Sequence, residues 1–368
     1  VCRRPLVAIL VVVTLVLSAA PARATALPQA HAPKAGLFCP CWGGAPKSAA
    51  AWAEAAKNHS LIVAERTVLA NNKAVAKQAN ANIVLLPYDL GPFLSKGSAA
   101  YNSTLADHAE RFARDKNNNL INPPTFPNNY LMDLGEIGWQ QQMATAVASA
   151  AQGFDGVYID SMGIGPLTGY TTAAPINRAT NQTYTATEWE AAARDAINSI
   201  KAKLPDKYVM FNGLSNGGYY NAGTKLLADS TADGAMSEAW VRMAKSDLNV
   251  YPTVDQVKLE IAEMRDVRKK GKDFFAWTKT WADGTDAQKA AWNTFAFGVF
   301  LLGTQGRAFY AFVSTNGGDR SGVPPVNKTD IGAPKGEYTL INGVFKREFQ
   351  KATVVVNPAA KTASITPH

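Results

Sequence analysis

Phe154-Asp155-Gly156-Val157-Tyr158-Ile159-Asp160-Ser161 is the stretch on which the fold turns. It opens on an Asp-Gly turn, passes through three residues suited to a pleated strand, and stops on a carboxylate. A helical pattern precedes it and another follows, as around one parallel strand of an α/β barrel, whose C-terminal strand ends carry the chemistry. Alternation puts Tyr158 and Asp160 on one face and Val157 and Ile159 on the other. With the aliphatic pair against helices, Asp160 points into the barrel mouth.

Working outward, strand-like runs recur at 35–39, 61–65, 83–88, 130–134, 156–160, 208–212, 234–239 and 274–279. Helical patterns at 49–58, 69–80, 104–115, 137–151, 186–203, 252–269 and 286–302 separate most of them. This alternation predicts an α/β fold, a (β/α)8 TIM barrel over 35–307. Short β-prone runs with turns such as Asn342-Gly343 predict an antiparallel C-terminal β segment over 308–368, packed on the barrel. A doubly wound nucleotide-binding sheet is disfavoured: the first strand is followed by Pro40-Cys41-Trp42-Gly43-Gly44, and neither G-x-G-x-x-G nor a P-loop occurs.

Arg3 and Arg4 precede an apolar run at 6–17 and small residues ending Ala22-Arg23-Ala24. This predicts a signal peptide over 1–26, a linker over 27–34 and a secreted protein, extracellular or periplasmic, without a membrane span after cleavage. The net charge is +8. Its densest run, from Arg265 to Lys272, falls in a predicted helix and its exit loop and reads as a solvated face, so nucleic acid is not an expected partner. Cys39 and Cys41 flank one proline, a spacing that fits disulfide geometry poorly and favours structural thiols. A monomer is expected.

The four histidines, His31, His59, His108 and His368, avoid every predicted strand end. That disfavours a His-based zinc hydrolase and a Ser-His-Asp triad. Carboxylates do occupy strand ends: Glu65, Asp133, Asp160 and Glu238. Cleaving a glycosidic bond needs two, one to protonate the leaving oxygen and one to act as nucleophile or base. Asp160 is the first choice. Glu238 is the second, because alternation puts Met236, Glu238 and Trp240 on one face, where apolar neighbours would raise a glutamate toward the range of a general acid. Asp133 either binds substrate or bonds within the barrel, Glu65 pairs locally with Arg66, and Asp155 is structural.

Asn212, between the two candidate acids, can bond a sugar hydroxyl or orient a carboxylate. Tyr88, Tyr158 and Lys279 are further substrate-contact candidates. Trp42, Trp139, Trp240, Trp277 and Trp281 gather at the expected mouth, where indoles stack on sugars, although at least two should be core. No cofactor and no metal are expected. Two other readings remain: a non-catalytic carbohydrate-binding barrel, and a metal-assisted lyase or hydrolase using Asp133 and Asp160.

The run 154–160 resembles the fourth-strand signature of secreted glycoside hydrolase-like barrels, Gly-Phe-Asp-Gly followed by apolar residues and a catalytic aspartate. Asp133 with Trp139 is similar to their strand-end aspartate and Trp-bearing helix. Tyr338, Asn342-Gly343, Arg347 and Val354-Val355-Val356-Asn357-Pro358 resemble their closing β segment. The likeness is to the hypothetical glycosyl hydrolase families and, more distantly, to the family 114 endo-α-1,4-galactosaminidases. It implies a secreted, endo-acting hydrolase of a polysaccharide, with Asp160 as nucleophile or base and Glu238 as proton donor. It also makes Asp160 end the fourth barrel strand, whereas the strand count above makes it the fifth.

Overall fold

The computed structural model describes residues 34–39, 44–214, 217, 220, 224–304, 308–317 and 319–368. The expected signal peptide, nearly all of the expected linker, Cys41 and Trp42 lie outside the described residues, as does the Cys39 side chain. Eight parallel strands close into a barrel in chain order: β1 (Lys34–Cys39), β2 (Leu61–Ala64), β3 (Val84–Asp89), β4 (Gly156–Ile159), β5 (Tyr208–Leu214), β6 (Gly234–Ser237), β7 (Asp273–Lys279) and β8 (Ala308–Val313). Lys34 and Ala35 pair with Phe309 and Tyr310 to complete the ring. The TIM-barrel expectation holds.

Two strand assignments change. The run expected as the fourth strand forms Asn129–Leu131, which pairs antiparallel with Phe93–Ser95 outside the barrel. It lies in the long β3–β4 connection, and Leu131, Met132 and Leu134 bury beside Phe93, Phe112 and Trp139. Gly156–Ile159 is therefore the fourth barrel strand, and Asp160 follows its end. In turn, Ala308–Val313, expected in the C-terminal segment, is the eighth strand. It is buried on both faces, Phe309 inside the barrel and Tyr310 against Phe297 and Phe300, as a parallel barrel strand must be.

Helices cover the outside: α1 (Ala49–Asn58), α2 (Arg66–Ala79), α4 (Ile137–Ala150), α5 (Ala186–Lys203), α6 (Val254–Lys269) and α7 (Asp286–Gly303), with α3 (Ala99–Asp107) in the β3–β4 connection. Reciprocal Thr–Glu or Thr–Gln capping boxes start α5, α6 and α7, satisfying amides that a helix start leaves orphaned. Glu65 is not a partner of Arg66: its carboxylate accepts from Thr67 and Val68 N–H at 3.0 Å and caps α2. Asp155 is structural as expected, pairing with Lys77 at 2.9 Å and accepting from Leu85 N–H at the bottom of the barrel. Among the described residues no helix is long and apolar enough to cross a membrane.

The C-terminal sheet, β9 (Thr339–Ile341), β10 (Val344–Glu348), β11 (Ala352–Asn357) and β12 (Thr362–Pro367), is antiparallel in that order. It rests on α7, where Gly298 makes room for Val356: a Cβ there would stand 2.9 Å from Val356 Cγ2. Buried Arg347 donates from Nη1 to the carbonyls of Leu301, Leu302 and Thr304 at 2.8, 3.1 and 2.7 Å. One guanidinium thus satisfies the orphan carbonyls that end α7 and welds sheet to barrel.

Candidate active site

The C-terminal ends of the barrel strands open into a cleft of about 610 Å³. Its floor is made by the residues that terminate β3 to β7. Asp160 comes straight off β4, and its N–H is held by the Asp89 carbonyl at 2.9 Å. The chain then turns sharply: Ser161 adopts φ +60°, a region non-glycine residues seldom occupy. The turn aims the Ser161 N–H at Asp160 Oδ1, at 2.8 Å. Gly91 passes underneath with φ +66°, and a Cβ there would lie 2.1 Å from the Asp160 carbonyl oxygen, so only glycine fits.

Three donors converge on Asp160: the Ser161 amide, Asn212 Nδ2 on Oδ1 at 2.8 Å, and the Tyr88 hydroxyl on Oδ2 at 2.5 Å. The same Asn212 Nδ2 donates its other hydrogen to Glu238 Oε2 at 2.6 Å. Two bonds from one amide nitrogen bring the nearest oxygens of Asp160 and Glu238 to within roughly 5 Å of each other. Lys279, from the end of β7, donates to Glu238 Oε1 at 2.6 Å. Its ammonium lies 4.4 and 5.1 Å from the ring centroids of Trp277 and Trp281.

Burial and the neighbouring Glu238 charge push the Asp160 carboxyl up to about 6, against the pull of Tyr88, Asn212 and Ser161. Burial also pushes Glu238 up, but the Lys279 ammonium, the hydrogen bonds from Lys279 and Asn212, and the Arg320 charge outweigh it, and Glu238 sits below its ordinary value. This corrects the expectation of a raised Glu238. Its nearest neighbours are a cation and an amide instead of apolar side chains.

Tyr88, Asn212 and Trp277 line the cleft beside the pair, and Lys279 reaches it through Glu238. Three other expected contacts are elsewhere. Tyr158 is fully buried inside the barrel with its hydroxyl on Met236 Sδ at 2.7 Å. Trp240 is core: strand β6 stops at Ser237 after a register shift, so alternation ends before Trp240, which turns outward against Phe274 and donates to the Ala296 carbonyl. Buried Asp133 accepts from the Tyr184 hydroxyl at 2.7 Å and the Gly135 N–H, with Arg178 at 3.5 Å. It anchors the β3–β4 and β4–β5 connections, and among the described residues its hydrogen bonds share no partner with those of Asp160. Trp139 is core as well.

The sequence reading missed Tyr170, Lys245, Arg320 and the uncharged wall formed by Leu90, Phe93, Phe126 and Pro166. Apart from Phe93, which starts the short strand 93–95, and Pro166, in a single 3-10 turn, they lie in loops without periodicity. For Tyr170 the only signal is an aromatic in the Gly-rich connection after Asp160.

With this geometry established, comparison with known proteins places the chain. No curated protein matches it. Among solved structures it is similar to Aspergillus fumigatus Ega3 in complex with galactosamine, at 13% identity over 81% of this chain and 97% of that one, TM-score 0.47. It is also similar to the family 36 α-galactosidase AgaA of Geobacillus stearothermophilus, at 11% identity over 88% of this chain and 47% of that one, TM-score 0.50. An α-amylase from Lactobacillus plantarum aligns at 10% identity over 87% of each chain, TM-score 0.47. The AgaA likeness supports the barrel fold alone. A family model matches residues 88–353, a span that holds Tyr88, Asp160, Asn212, Glu238 and Lys279, and on that match the chain belongs to hypothetical glycosyl hydrolase family 15.

Proposed function

We propose that the protein is a secreted, endo-acting retaining glycoside hydrolase of a polysaccharide, working as a monomer, with Asp160 as nucleophile and Glu238 as general acid and base. The observation that carries this is the Asn212 amide bridging two carboxylates from β4 and β6 on the cleft floor. Asp160 Oδ1 receives two hydrogen bonds and Oδ2 one, which leaves Oδ2 a lone pair for attack. Attack forms a bond from Oδ2 to the anomeric carbon and breaks the bond to the leaving oxygen, which takes a proton from Glu238. Glu238 then removes a proton from water, and the resulting hydroxide displaces Asp160 with net retention. Half-buried Trp281, with Trp277 packed behind it, supplies indole surface for the sugar.

In the free site Lys279 holds Glu238 ionised, so the acid role requires Glu238 to gain a proton when sugar enters and weakens the Lys279 contact. The free-site electrostatics favour a second reading in which Asp160, raised to about 6, is the acid and Glu238 the nucleophile. A binding barrel without catalysis has no need of two carboxylates this close. The test is a polysaccharide panel with products read by mass spectrometry. Wild type should release internal fragments with new reducing ends from one polymer, and Asp160→Asn and Glu238→Gln should each lose at least ~10³-fold, on the scale of losing an essential catalytic group. Full activity in both variants would sink the assignment.

A further inference from the structure

The cleft is electrostatically one-sided. One wall, from the β3–β4 and β4–β5 connections, presents Leu90, Phe93, Phe126, Pro166 and Tyr170, none charged near neutral pH. The β6–β8 side supplies the cations that line it, exposed Lys245 after β6 and Arg320 after β8, while Lys279 ends β7 outside the lining. Lys279 is engaged with Glu238. Arg320 is 8% exposed, with its guanidinium carbon 5.6 and 5.8 Å from the ring centroids of Trp277 and Trp281. Its backbone N–H is fixed to the Gly44 carbonyl at 2.9 Å, and Gly44 packs against its side chain, where a Cβ would lie 2.8 Å from Cδ. Arg320 is thus built into the wall. Its charge reaches Glu238.

We infer that this β6–β8 wall is a subsite for an anionic sugar residue, one carrying a carboxylate or a sulfate ester, on the Glu238 side of the scissile bond. The inference rests on the hydrolase reading for the position of that bond, but the subsite is a binding site in its own right. A pyranose laid on Trp281 would direct ring substituents toward Arg320, whose planar fork suits oxyanions, with Lys245 as a second, solvent-side charge. The uncharged wall opposite would take the neighbouring residues by apolar contact. Concentrating cations in a cleft raises both affinity and on-rate for polyanions.

The experiment uses the full chain carrying Asp160→Asn, so that ligands are bound and not consumed, on an array of oligosaccharides bearing uronate, sulfate, amino or only neutral groups. The strongest signals should fall on uronate or sulfated ligands, and which of those two dominates identifies the anion. Added salt should weaken them, and Lys245→Gln in the same background should weaken the best anionic ligand about tenfold while leaving neutral ligands unchanged. Arg320→Gln should do more, and because Lys245 is exposed its variant keeps the test independent of folding. Preference for neutral or amino sugars, no binding at all, or indifference to both substitutions would overturn the subsite. Anionic binding by a wild-type protein that hydrolyses no glycan would instead overturn the hydrolase reading and leave the subsite standing.

Discussion

Replacing Tyr88 with phenylalanine removes one hydroxyl and keeps the ring that packs on Phe38 and Tyr158 at centroid distances of 6.2 and 6.1 Å. The lost group is the 2.5 Å donor to Asp160 Oδ2. A hydrogen bond to an ionised acceptor contributes about 1.5–3 kcal/mol, against about 1 kcal/mol for a neutral one. The Tyr88 bond therefore favours the Asp160 carboxylate over its acid form by roughly 1.4 kcal/mol, about one pH unit. Asp160 already stands at about 6, so Tyr88→Phe should carry it toward about 7. The sign follows from the role: a nucleophile must be ionised, and a higher value means activity fades sooner as pH falls. At pH 5 kcat/KM should drop about ninefold relative to wild type, and at pH 8.5 the two should agree within about twofold. The assay is kcat/KM from pH 4.5 to 9 on whichever polymer the panel identifies. An unmoved acid limb, or a loss uniform across pH, would refute the reasoning. A gain at alkaline pH would point to Asp160 as the acid.

Lys279→Met removes the cation that keeps Glu238 ionised. Glu238 should then hold its proton to higher pH and extend the alkaline limb of the profile, while kcat at the optimum falls about 10- to 100-fold because the carboxyl loses a charged bond that aligns it. Arg347→Met keeps volume but strips the bonds to Leu301, Leu302 and Thr304. Orphaning those carbonyls should cost about 3 kcal/mol and lower the thermal midpoint by about 4 °C in a circular dichroism melt, with kcat per folded molecule unchanged.

The fourth barrel strand was legible because three independent signals coincide in it: a turn that starts it, branched residues that pack outward, and an acid where chemistry sits. The run 130–134 carries the same period-two pattern, yet it pairs with Phe93–Ser95. Alternation reports that a strand has two faces, and says nothing of which strand lies beside it. Strand β8 was displaced into the C-terminal segment for a related reason. Ala308–Val313 is apolar throughout, and its parallel pairings with Phe274–Lys279 and, far away in sequence, with Lys34 and Ala35 make it a barrel strand.

Within the site, Asp160, Asn212 and Glu238 were found from strand ends, and the structure brings all three into contact. Trp240 was misread because the pleat stops at Ser237, and Val241 at φ +58° has already left strand geometry. Glu238's charge state was misread because it depends on Lys279, contributed by the neighbouring strand, which outweighs the local apolar sequence. Arg320 and Tyr170 reach the cleft from irregular loops, where spacing carries no directional information.

Chemical rescue tests the central claim most directly. With an activated aryl glycoside of the panel's sugar, Asp160→Ala and Glu238→Ala should both be rescued by azide, and the anomeric configuration of each glycosyl azide identifies the role lost. The account predicts that Glu238→Ala yields azide with the substrate's configuration and Asp160→Ala yields the opposite anomer. The reverse pattern would exchange the two roles, and no rescue of either variant would contradict the carboxylate pair itself.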